Sequence, residues 1–290
     1  MSQAFYEPAG HGRYRATAAT AGPWSAQAQH GGPPSALAAR ELERHEPDDG
    51  MRLARVSVDI LRPVPVGELT IRSRTVRPGK RVALLEAVIA AGGQDVLVAR
   101  GWRIASFDAA PVVGKDDRVP GVPPTGRAPR FPGGHVDGYL SAIDWRFVAG
   151  KFDEPGPCQV WARPRIPLLP GEDTSPVCRT LLVADSGSGV SMVLDPAKYI
   201  FINVDLTVIL HRDPVDEFVL LDAESTMGGT GTGLAETKLA DTAYSGPAFR
   251  RCSSRRGSGA SCWVQPRARR PGPVPPTKRP CVVCCAQRQA

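Results

Sequence analysis

What the sequence lacks narrows it first. No basic-then-apolar segment of the signal-peptide kind opens the chain, and no apolar run approaches the length of a membrane span. The expectation is a soluble, cytoplasmic protein. Cysteine is scarce where a core would form. Cys158 and Cys178 are the two thiols of the first 240 residues, and the other five fall in the last fifty, so the body reads as a reducing-compartment protein without a disulfide framework. Acid is scarce at the other end. Residues 241–290 hold ten of the 36 Lys and Arg but one of the 29 Asp and Glu, which leaves 26 basic against 28 acidic residues before them, a net of −2. The overall charge of +7 therefore belongs to the tail and does not argue for a nucleic-acid partner. The tail is also poor in aromatics for base stacking, with Trp263 alone in its Arg-rich part. Cys281-x-x-Cys284-Cys285 has no second CxxC and no histidine pair, so no metal is expected. Gly228 to Gly233 lacks the Gly-Lys-Ser/Thr ending of a phosphate loop and sits between strands, which makes it a hairpin. No cofactor is expected.

What is present is said twice. HGGPPSALAARELER (30–44) reads as a helix opened by Pro33 and Pro34, rich in alanine so that a sheet can approach it closely. Strand patterns follow at 53–63, 68–78, 81–91 and 95–106, with Pro78-Gly79 as a turn. Residues 107–136 are rich in Pro and Gly without periodicity and read as a linker. TSPVCRTLLVADSGSG (174–189) reads as a second helix, capped by Thr174 or Ser175, with strands after it at 200–212, 217–224 and 231–240. At an offset of 150, Arg62 falls on Arg212, Thr75 on Ser225, Leu84 on Leu234 and Glu86 on Glu236. This is a duplicated domain, each copy pairing one helix with several antiparallel strands in an α+β arrangement. Under the same offset Arg55 stands in the place of Asp205, and Val76 in that of Thr226. Asp205 is an acid in an otherwise apolar strand, so either it lies on a wet sheet face or the second half alone kept acid-and-hydroxyl chemistry.

HGGPPSALAARELER, RPVPVGELTIRSRTVRPGKRVALLEAVI and NVDLTVILHRDPVDEFVLLDAESTMGGTGTGLAETKLAD together resemble acyl-CoA thioesterases of the double-hotdog type, the thioesterase II-like proteins. The resemblance spans roughly residues 15–241. It implies two tandem hotdog domains, each an antiparallel sheet wrapped around a central helix, here residues 1–106 and 137–250. It also implies a catalytic site between them and self-association into a homo-oligomer. In that family an aspartate, a threonine and a glutamine hold the attacking water; Asp205 matches the first and Thr226 the second, while the glutamine has no match. The implied reaction is hydrolysis of an acyl-CoA to free acid and CoA, with acyl-CoA as the partner and neither nucleic acid nor membrane. The alternative is a protein that binds acyl-CoA without turning it over.

The chemistry asks for such a set. Neutral water attacks a thioester slowly, so a carboxylate must take its proton and neighbouring groups must hold it in line. The oxyanion that develops needs donors, which the free amides of a helix start supply. Gly31 and Gly32, at the entrance of the first helix, either offer those amides to the substrate or only make a tight turn. His30 and His211 have no triad partners in sequence and are left unassigned, and no Asp/His dyad of the hydratase kind is visible. Beyond Asp241 the resemblance ends. The last strand of the second half is expected to be disrupted, and residues 251–290 read as a disordered basic tail or as the product of a shifted reading frame.

Overall fold

The computed structural model describes residues 4–48, 50–106, 119–131, 134–196, 198–242 and 260–266, the last stretch as backbone. In the first half, β1 (Tyr6–Pro8) and β2 (Arg13–Ala16) lead through a short hairpin, β3 (Ala21–Gly22) and β4 (Ser25–Gln29), into helix α1 (Gly32–Arg44). Four long strands follow: β5 (Met51–Ile60), β6 (Glu68–Arg77), β7 (Val82–Ala91) and β8 (Gln94–Ala105). The second half repeats the order with β9 (Ile143–Lys151), β10 (Glu154–Pro164), α2 (Pro176–Ala184), α3 (Gly187–Val190), β11 (Tyr199–Asn203), β12 (Asp205–Ile209), β13 (Val219–Met227) and β14 (Thr232–Ala240). A further strand, β15 (Ala260–Pro266), closes its sheet. Both sheets are antiparallel, in the orders β1-β2-β6-β7-β8-β5-β12 and β11-β15-β14-β13-β10-β9. The expected pair of α+β units is present, each with a helix against the concave face of its sheet.

The helices form where the sequence permits close approach. Ala36, Ala38 and Ala39 are fully buried, and α1 lies directly on α2. A Cβ on Gly32 would collide with the carbonyl oxygen of Leu182, and the Cys178 thiol donates to the Ala36 carbonyl at 3.5 Å. Ser175 caps α2 by accepting from the Cys178 amide at 3.1 Å, with Pro176 in the first turn. The expected single helix over 174–189 is in fact broken at Asp185 and Ser186.

Duplication is visible in the hydrogen bonds. β12 crosses to the first sheet and pairs with β5, with Thr207 opposite Ser57. These residues are themselves 150 apart, so this pair lies on the axis relating the halves. Either side of it, Leu210 N–H donates to Ala54 C=O and Ile60 N–H to Val204 C=O, both at 2.8 Å. Val204 and Ala54 occupy equivalent irregularities, one separating β11 from β12 and the other shifting the register between β5 and β8. A cut at the expected domain borders therefore leaves β12 bonded to the opposite half.

Two expectations about the joints change. Within the linker, the described residues 119–131 are irregular as expected, yet Phe131 is buried in the core. The tail was expected to hold no strand, and seven of its residues form β15, between β14 and β11. Those two edges present backbone N–H and C=O groups that a closed sheet must satisfy, and an extended segment containing Trp263 and Val264 meets that need despite its Arg- and Pro-rich surroundings. Cys281, Cys284 and Cys285 lie outside the described residues.

Candidate active site

Where the first half meets the second, a cavity of about 640 Å³ opens beside the start of α1. One end of its wall is aromatic and closed: Trp24, Phe131, Leu140, Trp145 and Phe152 line it, with Trp24 edge-on to Phe131 at 4.8 Å and Trp145 edge-on to Phe152 at 5.2 Å. Other lining residues are open to solvent, Leu61 at 53% exposure and Ile202 and Val204 at 46%, and these mark the mouth. The polar groups His30, Gly31, Asp185, Ser186 and Asn203 also line the cavity.

Asp185 is where the α2 hydrogen-bond ladder stops, so its side chain leaves the helix axis and meets the other half. Asn203 donates to Asp185 Oδ1 at 2.7 Å and fixes the carboxylate. The other oxygen, Oδ2, stands 3.3 Å from His30 Nδ1. A Cβ built on Gly31 would lie 2.7 Å from that same oxygen, so any residue but glycine would displace the carboxylate. Gly32 N–H donates to His30 Nδ1 at 3.0 Å, and Pro33 and Pro34 have no N–H to give. That leaves the Gly31 N–H, for which no acceptor is found among the described residues, as the donor at the start of α1, and Gly31 lines the cavity.

His30 is held on one face and at its edge. Its ring stacks on Tyr139 at 3.8 Å, and the Tyr139 hydroxyl is shared between the Leu182 carbonyl (2.9 Å) and Ser186 Oγ (2.7 Å). Burial lowers the His30 pKa below its usual 6.5, against a smaller opposing pull from Asp185. The ring is therefore neutral at pH 7, with Nδ1 free to accept the Gly32 amide proton.

Of the residues singled out in the sequence, Gly31 is in this site and Gly32 braces it against α2. The structure does not bring Asp205 and Thr226 together. On β12, Leu206 and Val208 point to the core while Asp205, Thr207 and Ile209 are half-buried on the other face, with Asp205 opposite Asp59. Thr226 is exposed on β13. Its neighbour Leu234 on β14 pairs with Ser261 on β15, and β15 in turn pairs with β11, so three strand spacings, about 14 Å, separate Thr226 from β11, and Asp205 lies beyond the end of β11, on β12 of the other sheet. Neither lines the cavity. His211 is exposed beyond the end of β12.

Asp185, Asn203 and His30 are the residues sequence reasoning missed, and the signal was there. Asp185 lies nine residues after the helix-opening Pro176, as Leu42 lies nine after Pro33, and Asn203 lies 150 after Leu53. In the first half Leu42 and Leu53 side chains meet over Gly101. An apolar pair in one half has thus become a carboxylate and an amide in the other. Between helix and strand the second half is seven residues longer, so an alignment at a constant 150 misses the helix correspondence. The longer segment carries α3, and its Ser188, Gly189, Val190 and Met192 line the cavity.

The match to known proteins follows this division. The N-terminal acyl-CoA thioesterase domain model matches residues 20–104 and the C-terminal acyl-CoA thioesterase domain model residues 116–244. A search among curated proteins gives no match. Among solved structures, a hot-dog-fold protein of unknown function from Alicyclobacillus acidocaldarius is 15% identical, with 88% of this chain and 93% of the other covered and a TM-score of 0.65. A protein assigned as a thioesterase II from Thermobifida fusca is 18% identical, covering 89% and 93%, with a TM-score of 0.64. The acyl-CoA thioesterase II TesB2 of Mycobacterium marinum is 16% identical, covering 93% and 97%, with a TM-score of 0.58. With its two domain models in tandem and a double-hotdog architecture, the chain belongs to the acyl-CoA thioesterase family of thioester hydrolases.

Proposed function

We propose that the chain hydrolyses an acyl-CoA to the free carboxylic acid and CoA at the Asp185–Gly31 site, with the acyl group in the aromatic end of the cavity and the CoA leaving through its mouth. The observation that carries this is the Asp185 carboxylate set against the helix-opening Gly31 in the wall of a largely apolar cavity. A thioester carbonyl seated there has its oxygen at the Gly31 N–H and its carbon beside a water on Asp185. The water's oxygen bonds to the carbonyl carbon as its proton passes to Asp185, and the Gly31 amide and the positive end of α1 stabilise the oxyanion. Collapse of the tetrahedral intermediate breaks the C–S bond, and the CoA thiolate leaves and takes up a proton. Asn203 keeps the carboxylate from turning away, which preserves the attack geometry.

Release of thiol from a panel of acyl-CoAs tests the reaction. Asp185→Asn is expected to lower kcat about 10²–10⁴-fold, the range for loss of a general base. Asp205→Asn, the variant suggested by the family resemblance, is expected to keep most of the parent rate. The reverse result would move the chemistry to β12. Stoichiometric acyl-CoA binding with no thiol released would instead make the chain a binding protein. Self-association, also expected from the resemblance, is decided by the molar mass in solution. Among the described residues no helix is long and apolar enough to cross a membrane.

A further inference from the structure

The duplication exposes one more residue. In the second half Arg212 is neutralised: its guanidinium makes two bonds to Asp241, at 2.5 and 2.6 Å, and Asp241 also accepts from the Val215 N–H at 3.1 Å. The first half repeats the arginine as Arg62, at the offset of 150 that the β5–β12 axis confirms. It does not repeat the niche. The place of Asp241 is taken by Ala91, and that of Val215 by Pro65, which has no N–H. Arg62 is exposed, has no acidic partner among the described residues, and contributes to the wall of the active-site cavity next to Leu61 at its mouth. It is the one Lys or Arg in that wall among the described residues. The arginine was kept while everything that neutralises its twin was lost, which is the arrangement of a cation that awaits an anion from outside the chain.

We propose that Arg62 binds an oxyanion of the substrate at the cavity mouth: a phosphate of CoA, or a carboxylate carried by the acyl group. A guanidinium offers two parallel N–H donors to either oxyanion, and the planar fork makes the contact directional as well as electrostatic. At the mouth it orients the thioester, so that one end of the substrate is held by charge and the other by apolar burial. The proposal rests on the thioesterase reading above and deepens it.

The test compares Arg62→Gln and Arg62→Lys with the parent on three substrates: a plain acyl-CoA, the same acyl group on N-acetylcysteamine (a thioester without phosphates), and an ω-carboxyacyl N-acetylcysteamine. If the anion is a CoA phosphate, Arg62→Gln raises KM for the acyl-CoA about ten-fold or more with a smaller change in kcat, and the plain N-acetylcysteamine thioester is affected within about two-fold. Arg62→Lys recovers part of the loss, because it keeps the charge but not the fork. If the anion is an acyl carboxylate, the loss appears with the ω-carboxyacyl substrate and not with the plain acyl-CoA. KM values within about two-fold of the parent on all three substrates would overturn the proposal. Calorimetric titration of free CoA and of the ω-carboxyacyl thioester into parent and Arg62→Gln separates this from catalysis. Weakened binding of either supports Arg62 even if the parent releases no thiol. A parent that neither binds nor hydrolyses any of these ligands overturns both readings.

Discussion

Two adjacent glycines hold different parts of the site. Gly31 is small because the Asp185 carboxylate needs the space, and Gly32 because the Leu182 carbonyl does. Gly31→Ala therefore pushes on a side chain, and Gly32→Ala pushes on the backbone of a buried helix. The expected outcome for Gly31→Ala is a loss of turnover on the order of 10²-fold or more with a modest change in thermal midpoint, since a misplaced carboxylate damages attack geometry before it damages packing. For Gly32→Ala the expected outcome is a lower midpoint, from about 1–3 kcal/mol of overpacking. Equal effects on stability and turnover would show that the two positions are not separable. His30 adds a pH dependence of known sign. Its pKa is lowered in the folded chain, so below pH 6.5 the unfolded state takes up a proton that the folded state resists. Its contribution is complete above that pH and is lost as the pH falls toward the folded value, at up to about 1.4 kcal/mol per pH unit. His30→Asn keeps an acceptor near the Gly32 amide but does not titrate. The midpoint of the parent is expected to fall more than that of His30→Asn between pH 7 and pH 5, as followed by circular dichroism.

At the level of elements, most strands and α1 could be read from their periodicity because each buries one face against one helix, and that condition leaves its mark on the sequence. β7, for example, is expected at 81–91 and found at Val82–Ala91. Three features escaped, each for a physical reason. The break in α2 follows from no proline or glycine at Asp185; it is fixed by what the carboxylate meets across the halves. The turn at Val204 lies within an unbroken apolar alternation, and it inverts the expectation for the acid beside it by turning Asn203 inward and Asp205 outward. The neutral His30 is legible only once Tyr139, more than a hundred residues away, is seen stacked on it. The same scale yields a prediction about the acyl end. Phe152, just beyond β9, is 7% exposed and lines both the candidate active-site cavity and a second cavity of about 330 Å³ bounded by Arg127, Phe147 and Lys151. It is the side chain that the two linings share. Phe152→Ala is expected to join the two spaces and to shift the preferred acyl chain to greater length, at a cost of about 3–5 kcal/mol in stability. A lowered midpoint with an unchanged ratio of long- to short-chain turnover would show that the acyl group does not run toward Phe152.

The molecule as a whole is two copies of one design joined at β5 and β12, and the candidate site lies where the copies stopped being equivalent. Around the second helix start, the place related to Gly31 and Asp185, the first half supplies Leu42 and Leu53, while the adjacent Glu43 accepts from Ser175 at 2.7 Å. Burial raises the pKa of the Glu43 carboxyl, against a smaller pull from that hydroxyl. That end is packed as structure, and the end with the cavity is open. The second sheet reaches the opening through β11, whose inward Phe201 and Asn203 line the cavity, and β11 is held from the other side by β15. The tail strand therefore bears on the site at one remove, through the strand that carries Asn203. Cys262 on β15 stands opposite both Asn203 on β11 and Gly233 on β14, so a proline there removes a donor from a strand bonded on both sides. Cys262→Pro is expected to cost about 3 kcal/mol or more, a fall of roughly 6–12 °C in midpoint for a chain of this size, and to reduce kcat as Asn203 loses its support. Amide hydrogen exchange should show faster exchange in β11 and β14 and little change in the first sheet. A variant with parent-like midpoint and turnover would mean that β15 is not part of the working sheet, and that the second half completes its sheet without the tail.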